Sequence, residues 1–434
     1  MQSSLPAPSA SLPAGGGPTD PSHDERLRRG ILATDVSRGV AWLLTLLFLV
    51  AIYAVPLAQA YLEKREGEDS SLADLFRRAP TAENLRKLEK GIEDASYAKA
   101  WVQPRMQLGR TRLGRVGNKL AGVGQGGWLY YTPGVLHVGG PGFLDPTVQR
   151  NREKEALDGG QDPIHADPLA AIVAFQQALA GRGIRLVLLP MPDKAALESG
   201  PLHGRAGRVP VAQNVDYERF LGQLRGAGVA VLDARQSAAA SAEPLFLMQD
   251  THFAPAFMER IARDLSTLVN GLGVLPPLAE PPALHAVAQP ASRVGDLVDM
   301  LKLPDEQRFF QPQTVQVHQV QDAAGTAWEP DAAGDVLLLG DSFTNIFTLE
   351  GMGWGSASGL APQLALALGR PLDVIAQNDS GAYATRQALA RELAAGQDRL
   401  AGKRVVIWEF ASRELSVGDW KPLPLPMPPP AEAK

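Results

Sequence analysis

Residues Gly39 to Leu62, "GVAWLLTLLFLVAIYAVPLAQAYL", contain no charged side chain. No other feature constrains the chain as strongly, because such a run can cross a hydrocarbon core of roughly 30 Å as a helix. Trp42, Tyr53 and Tyr61 lie within it or near its ends, where aromatic rings favour a membrane interface. Arg26, Arg28, Arg29 and Arg38 precede the run, and the mixed, net acidic "EKREGED" follows it. The positive-inside rule then keeps the N-terminus in the cytoplasm and places everything beyond about residue 62 outside. A signal peptide cut after Ala58-Gln59-Ala60, which has the small-x-small form, is the competing reading. The long preceding region and the length of the apolar run favour an uncut anchor. Both readings export the bulk of the protein.

The boundaries that follow are a disordered cytoplasmic tail over 1–38, a transmembrane signal anchor over 39–62 and a helical membrane-proximal segment over 63–120. A catalytic domain covers 121–420, and a Pro-rich tail covers 421–434. In the membrane-proximal segment, Thr81 and Glu83 suit a helix N-terminus, Leu85, Leu88 and Ile92 recur at helical spacing, and Pro104 is expected to end or bend the helix. Beyond it, short apolar runs alternate with helical patterns. Strands are expected at Ile184–Lys194, Val229–Arg235, Val336–Leu339, Leu372–Gln377 and Arg404–Phe410. Helices are expected at Asp167–Gly183, Val215–Gly228, from about Pro255, near Leu360–Leu368 and over Thr385–Ala395. This alternation specifies an α/β fold with a mainly parallel sheet covered on both faces. The proline-rich stretch from 276 to about 334 reads as irregular, either an insertion or a patch of extended structure.

Composition narrows the chemistry. The 434 residues include no cysteine, which excludes disulfides, thiolate catalysis and cysteine-ligated zinc. Seven scattered histidines form no HExxH motif and no close pair, so no metal centre is expected and no cofactor is implied. A net charge of −5 offers nothing to a nucleic acid.

Three segments carry the candidate chemistry. "DVLLLGDSFTNIF" runs from a buried strand into Gly340-Asp341-Ser342, so the Ser342 hydroxyl is placed to project above the carboxyl edge of the sheet. A serine needs a base within hydrogen-bond reach. "QDTHF" supplies Asp250 and His252 at i and i+2, a spacing that in an extended segment turns both side chains to one side. The carboxylate then holds Nδ1–H and leaves Nε2 for the serine proton. His165 in "DPIH" is the rival base, set in a polar loop with no leading strand. "AQNDSGAYATR" offers Asn378 as an oxyanion donor, joined by the Ser342 backbone N–H and a glycine of "GMGWGSASG", Gly353. Arg386 and Arg413 are candidates either to face a substrate or to complete surface ion pairs. Each motif alone is also ordinary turn or capping chemistry.

In order and spacing, "GGWLYY", "GGPGFLD", "LLPMPDKA", "QDTHFAP", "LLLGDSFTNIF", "GMGWG", "NDSGAYATR" and "VVIWEF" together resemble the AlgX/AlgJ family of SGNH-hydrolase-like polysaccharide O-acetyltransferases. The resemblance implies a triad of Ser342, His252 and Asp250, with Asn378 in the oxyanion hole as a looser correspondence. It implies a periplasmic enzyme that acetylates an exopolysaccharide such as alginate, with an integral-membrane MBOAT-class acyltransferase as acetyl source. The anchor makes the chain similar to the AlgJ type. Two other readings stay open on the residues: an acetylesterase using the same triad, and a non-catalytic scaffold of a polysaccharide export complex.

Overall fold

The computed structural model describes residues 37–67, 77, 79–203, 212–239 and 243–425. The expected disorder of the N-terminal tail and most of the Pro-rich tail lie outside these residues. The chain separates into two compact units, Met1–Val102 and Gln103–Lys434.

In the first unit, the uncharged run forms the helix Arg38–Glu66, capped by Ser37 and closed by Gly67 in the left-handed conformation. Its apolar side chains are exposed, and it is long and apolar enough to cross a membrane. The helix Ala82–Asp94 begins where Thr81 accepts a hydrogen bond from Asn84 N–H at 3.2 Å. The helical stretch breaks at Ala95–Ser96 and not at Pro104, which lies within the helix Tyr97–Gly114.

The second unit is built on five parallel strands: β3 (Arg185–Met191), β4 (Ala230–Val231), β7 (Val336–Gly340), β8 (Leu372–Ala376) and β9 (Val405–Ala411). They lie in the order β4-β3-β9-β7-β8. Strand alternation divides their side chains between two cores. Val187, Leu189, Leu338 and Ile407 enter one core with the helices Pro255–Gly271 and Leu360–Leu368. Leu186, Leu188, Leu339 and Trp408 enter the other with Pro168–Ala180, Tyr217–Gly226 and Ala384–Ala394. Burial on both faces is why these strands read as continuous apolar runs. β4 is shorter than expected, because Arg235 already belongs to the helix Ala234–Ala239.

The stretch 276–334 is not an irregular insertion throughout, and its regular part is extended structure. It contains β5 (His285–Arg293) and β6 (Gln313–Gln321), paired antiparallel from His285↔Gln321 to Arg293↔Gln313, with a short helix Asp296–Met300 between them. Most β5 side chains are exposed, so no apolar alternation announces the strand. Among the described strands β5 pairs only with β6, and this edge position accommodates Pro290. A second small ribbon pairs β1 (Ala121–Val123) with β2 (Leu129–Tyr131).

Candidate active site

β7 is fully buried and ends at Gly340, where a Cβ would lie 2.0 Å from Thr344 Oγ1. Only glycine lets the chain turn so closely onto the following helix. Asp341 caps the turn Ser342–Asn345, its Oδ1 accepting from Phe343 N–H at 2.8 Å. Its Oδ2 accepts from Ala411 N–H at 2.8 Å, and its own N–H donates to Glu409 Oε2 at 2.9 Å. The loop carrying Ser342 is thereby fastened to β9.

The second loop is a tight reversal in which Phe246 bridges Phe253 antiparallel and Leu247 N–H donates to His252 C=O. It holds the His252 side chain beside Asp250, with Nδ1 2.6 Å from Oδ1. On the other side of the ring, Nε2 lies 2.8 Å from Ser342 Oγ. All three groups are buried, and Ser342 retains 8% exposure. Asp250 is fully satisfied, because Oδ2 also accepts from Trp354 Nε1 at 3.0 Å and from Asp296 N–H at 3.1 Å. The Phe343 ring meets the imidazole edge-on, with centroids 4.9 Å apart.

Charge follows from these contacts. Burial disfavours the Asp250 carboxylate, but the hydrogen bond and charge of His252 with the Asp296 and Trp354 donors outweigh it. The carboxyl is held well below its usual range. Burial likewise opposes charge on His252, while the Asp250 bond and the charges of Asp250, Asp296 and Asp341 raise its basicity above that of a free imidazole. In β9, burial and then the Asp341 charge push the Glu409 carboxyl well above the ordinary range. Lys194 Nζ is buried and donates to Leu129 C=O at 2.8 Å. Burial lowers its pKa to about 7 against the attraction of Asp250, Asp296 and Glu198.

The other sequence candidates are placed differently. His165 is half-exposed, its Nδ1 3.7 Å from Asp419, and His252 is the histidine that meets Ser342. Asn378 is exposed just past β8, its Oδ1 accepting from Asn345 Nδ2 at 2.8 Å. Gly353 adopts φ +77°, and its N–H is already given to Glu350 C=O at 2.8 Å, which withdraws it as an oxyanion donor. Arg386 neither faces a substrate nor makes a surface ion pair. It is 1% exposed, lies over the Trp408 ring and donates to the carbonyls of Ala382 and Lys421. Arg413 pairs with Asp193 at 3.1 Å and covers the rings of Tyr131 and Phe343, the residue after the serine.

Sequence reasoning missed Asp296, Trp354, Lys194 and Glu409. Trp354 lies inside a quoted motif, but its indole bond to Asp250 spans 104 positions. Asp296 lies in the stretch expected to be irregular, where nothing local marked it.

A sequence family described as "SGNH hydrolase-like domain, acetyltransferase AlgX" matches residues 123–412. No curated protein matches the chain. Among solved structures, the O-acetyltransferase domain of Pseudomonas putida AlgJ is 21% identical, with 69% of this chain and 93% of that one covered at a TM-score of 0.51. Pseudomonas aeruginosa AlgX is 17% identical, with 70% and 67% covered at a TM-score of 0.44. Bacillus cereus PatB1 is 12% identical, with 70% and 100% covered at a TM-score of 0.37. With the family match spanning most of the second unit and the AlgJ domain sharing its fold, this chain belongs to the AlgX family of SGNH hydrolase-like acetyltransferases.

Proposed function

We propose that the chain is a membrane-anchored O-acetyltransferase that modifies an exopolysaccharide through an acetyl-Ser342 intermediate. The observation supporting this reading most directly is the continuous hydrogen-bonded series from Asp250 through His252 to Ser342 at the carboxyl edge of the sheet. As Ser342 Oγ attacks the acetyl carbon of the donor, its proton passes to His252 Nε2. The bond to the leaving group then breaks, and the leaving group takes that proton. In the second half, an acceptor hydroxyl gives its proton to His252 as its oxygen attacks the acetyl-serine. Collapse returns the proton to Ser342 Oγ and releases the acetylated acceptor. Asp250 keeps Nδ1–H directed toward itself throughout and stabilises the imidazolium.

Each half passes through a tetrahedral oxyanion. The Ser342 N–H is one donor in this reading, and the Asn378 side-chain amide is the second. Asn345 occupies Oδ1 of Asn378, which leaves Nδ2 as the donor end. Losing one such donor typically costs about 3–4 kcal/mol of transition-state stabilisation. The acceptor in this reading is an exopolysaccharide such as alginate, and a membrane-bound MBOAT-class acyltransferase supplies acetyl. The helix Arg38–Glu66, long and apolar enough to span, is in this reading the inner-membrane anchor, with the second unit in the periplasm.

Incubation of the purified full chain with an activated acetyl ester tests the reading. Digestion and mass spectrometry are expected to find one acetyl group on the Ser342 peptide, absent in Ser342→Ala. Added oligosaccharide should discharge it to acetylated sugar. Release only as free acetate would make the chain an esterase, and polymer acetylation that survives Ser342→Ala would make it a scaffold.

A further inference from the structure

We propose that Asp296 is a positioning residue for His252, a second carboxylate that shares the imidazolium with Asp250 and locks the loop carrying both. The inference rests on the triad reading above. Asp296 opens the short helix between β5 and β6, and its contacts with residues 249–252 are reciprocal. Its N–H donates to Asp250 Oδ2 at 3.1 Å, while its Oδ1 accepts from Thr251 N–H at 2.7 Å. One residue further, Leu297 N–H donates to Gln249 C=O at 3.2 Å. The two backbones approach so closely that a Cβ on Gly295 would lie 2.2 Å from Gln249 O. The remaining carboxylate oxygen, Oδ2, lies 3.9 Å from His252 Nδ1.

A rigid loop alone would not need this acid, since an amide or hydroxyl also accepts from Thr251 N–H. The carboxylate adds a second negative charge beside the ring that becomes cationic when Ser342 gives up its proton. The charged or titratable groups facing this pair are Asp250, Lys194 and, across the imidazole, Asp341. Buried Lys194 is attracted to both carboxylates and offsets part of their mutual repulsion. Burial and the Asp250 charge raise the Asp296 carboxyl to about 6, so the second charge is in place at neutral pH.

The test compares Asp296→Asn and Asp296→Ser, each of which keeps an oxygen for Thr251 N–H, with the parent full chain in detergent. The rate of Ser342 acetylation by 4-nitrophenyl acetate is followed against pH. Without the second charge His252 is less basic, so the acid limb is expected to move down by about one pH unit and the plateau to fall roughly tenfold. A role confined to holding the loop would leave the limb unmoved. Superimposable pH profiles in a folded variant of either kind would therefore overturn the inference. A parent chain that takes no acetyl on Ser342 would instead overturn the triad reading on which it rests.

Discussion

Trp354 donates its indole N–H to Asp250 across 104 positions of sequence, at 3.0 Å and with both groups buried. It thereby joins the loop after the serine to the loop that carries the base. The bond spends no flexible side chain, and it aims the second carboxylate oxygen so that the first stays on His252. Trp354→Phe is expected to keep the fold and lose this donor. A hydrogen bond to a charged group is worth about 1.5–3 kcal/mol, so acetyl-enzyme formation should slow roughly ten- to a hundredfold. Stopped-flow acetylation with circular dichroism as a fold control measures this. An unchanged rate would show that Asp250 is oriented without the indole.

The pH dependence has a definite sign. His252 must be neutral to accept the serine proton, and its basicity is raised above the ordinary value of 6.5. Acetyl-enzyme formation should therefore climb with pH along a limb whose midpoint lies above 6.5. A midpoint below that value would mean that burial outweighs the surrounding carboxylates.

Gly340 explains why the strand before the serine must end in glycine. Gly340→Ala pushes a methyl group onto Thr344 Oγ1, which itself donates to Glu409 at 2.9 Å. Overpacking of this kind costs about 1–3 kcal/mol, and the shift falls on the turn that presents Ser342. A lowered melting temperature together with slower acetylation is the expected pair of results. Retention of both would show that the turn yields freely.

Glu409 makes a testable claim about stability. In the folded protein its carboxyl stays protonated well above the ordinary value of 4.5, whereas the unfolded chain releases the proton near that value. The folded state thus binds more protons between the two, and stability falls as pH rises from about 4.5 toward the folded value. Glu409→Gln keeps an oxygen for Asp341 N–H and Thr344 Oγ1 but has no proton to lose. It is expected to flatten this decline and to be at least as stable as the parent at neutral pH. Denaturant melts across pH check the slope.

Local pattern carried a large part of the architecture. The uncharged run, the Thr81 helix start and the apolar runs of β3, β7, β8 and β9 each depend on near neighbours. Residues close in sequence fix periodicity and capping, so these elements were readable. The antiparallel pair β5 and β6 was not, because its partners lie up to 36 positions apart and few of its side chains face a core.

Residue types and their order along the chain were enough to nominate Ser342, His252 and Asp250, since their chemistry belongs to the side chains themselves. Which histidine meets the serine, that Gly353 has no N–H to spare and that Arg386 is sealed against Trp408 were decided only by the tertiary structure. The same holds for Asp296 and Trp354, which reach Asp250 from loops remote in sequence. The physical reason is that hydrogen bonds act over about 3 Å in space whatever the separation along the chain, and only packing the sheet and its loops brings those atoms within range.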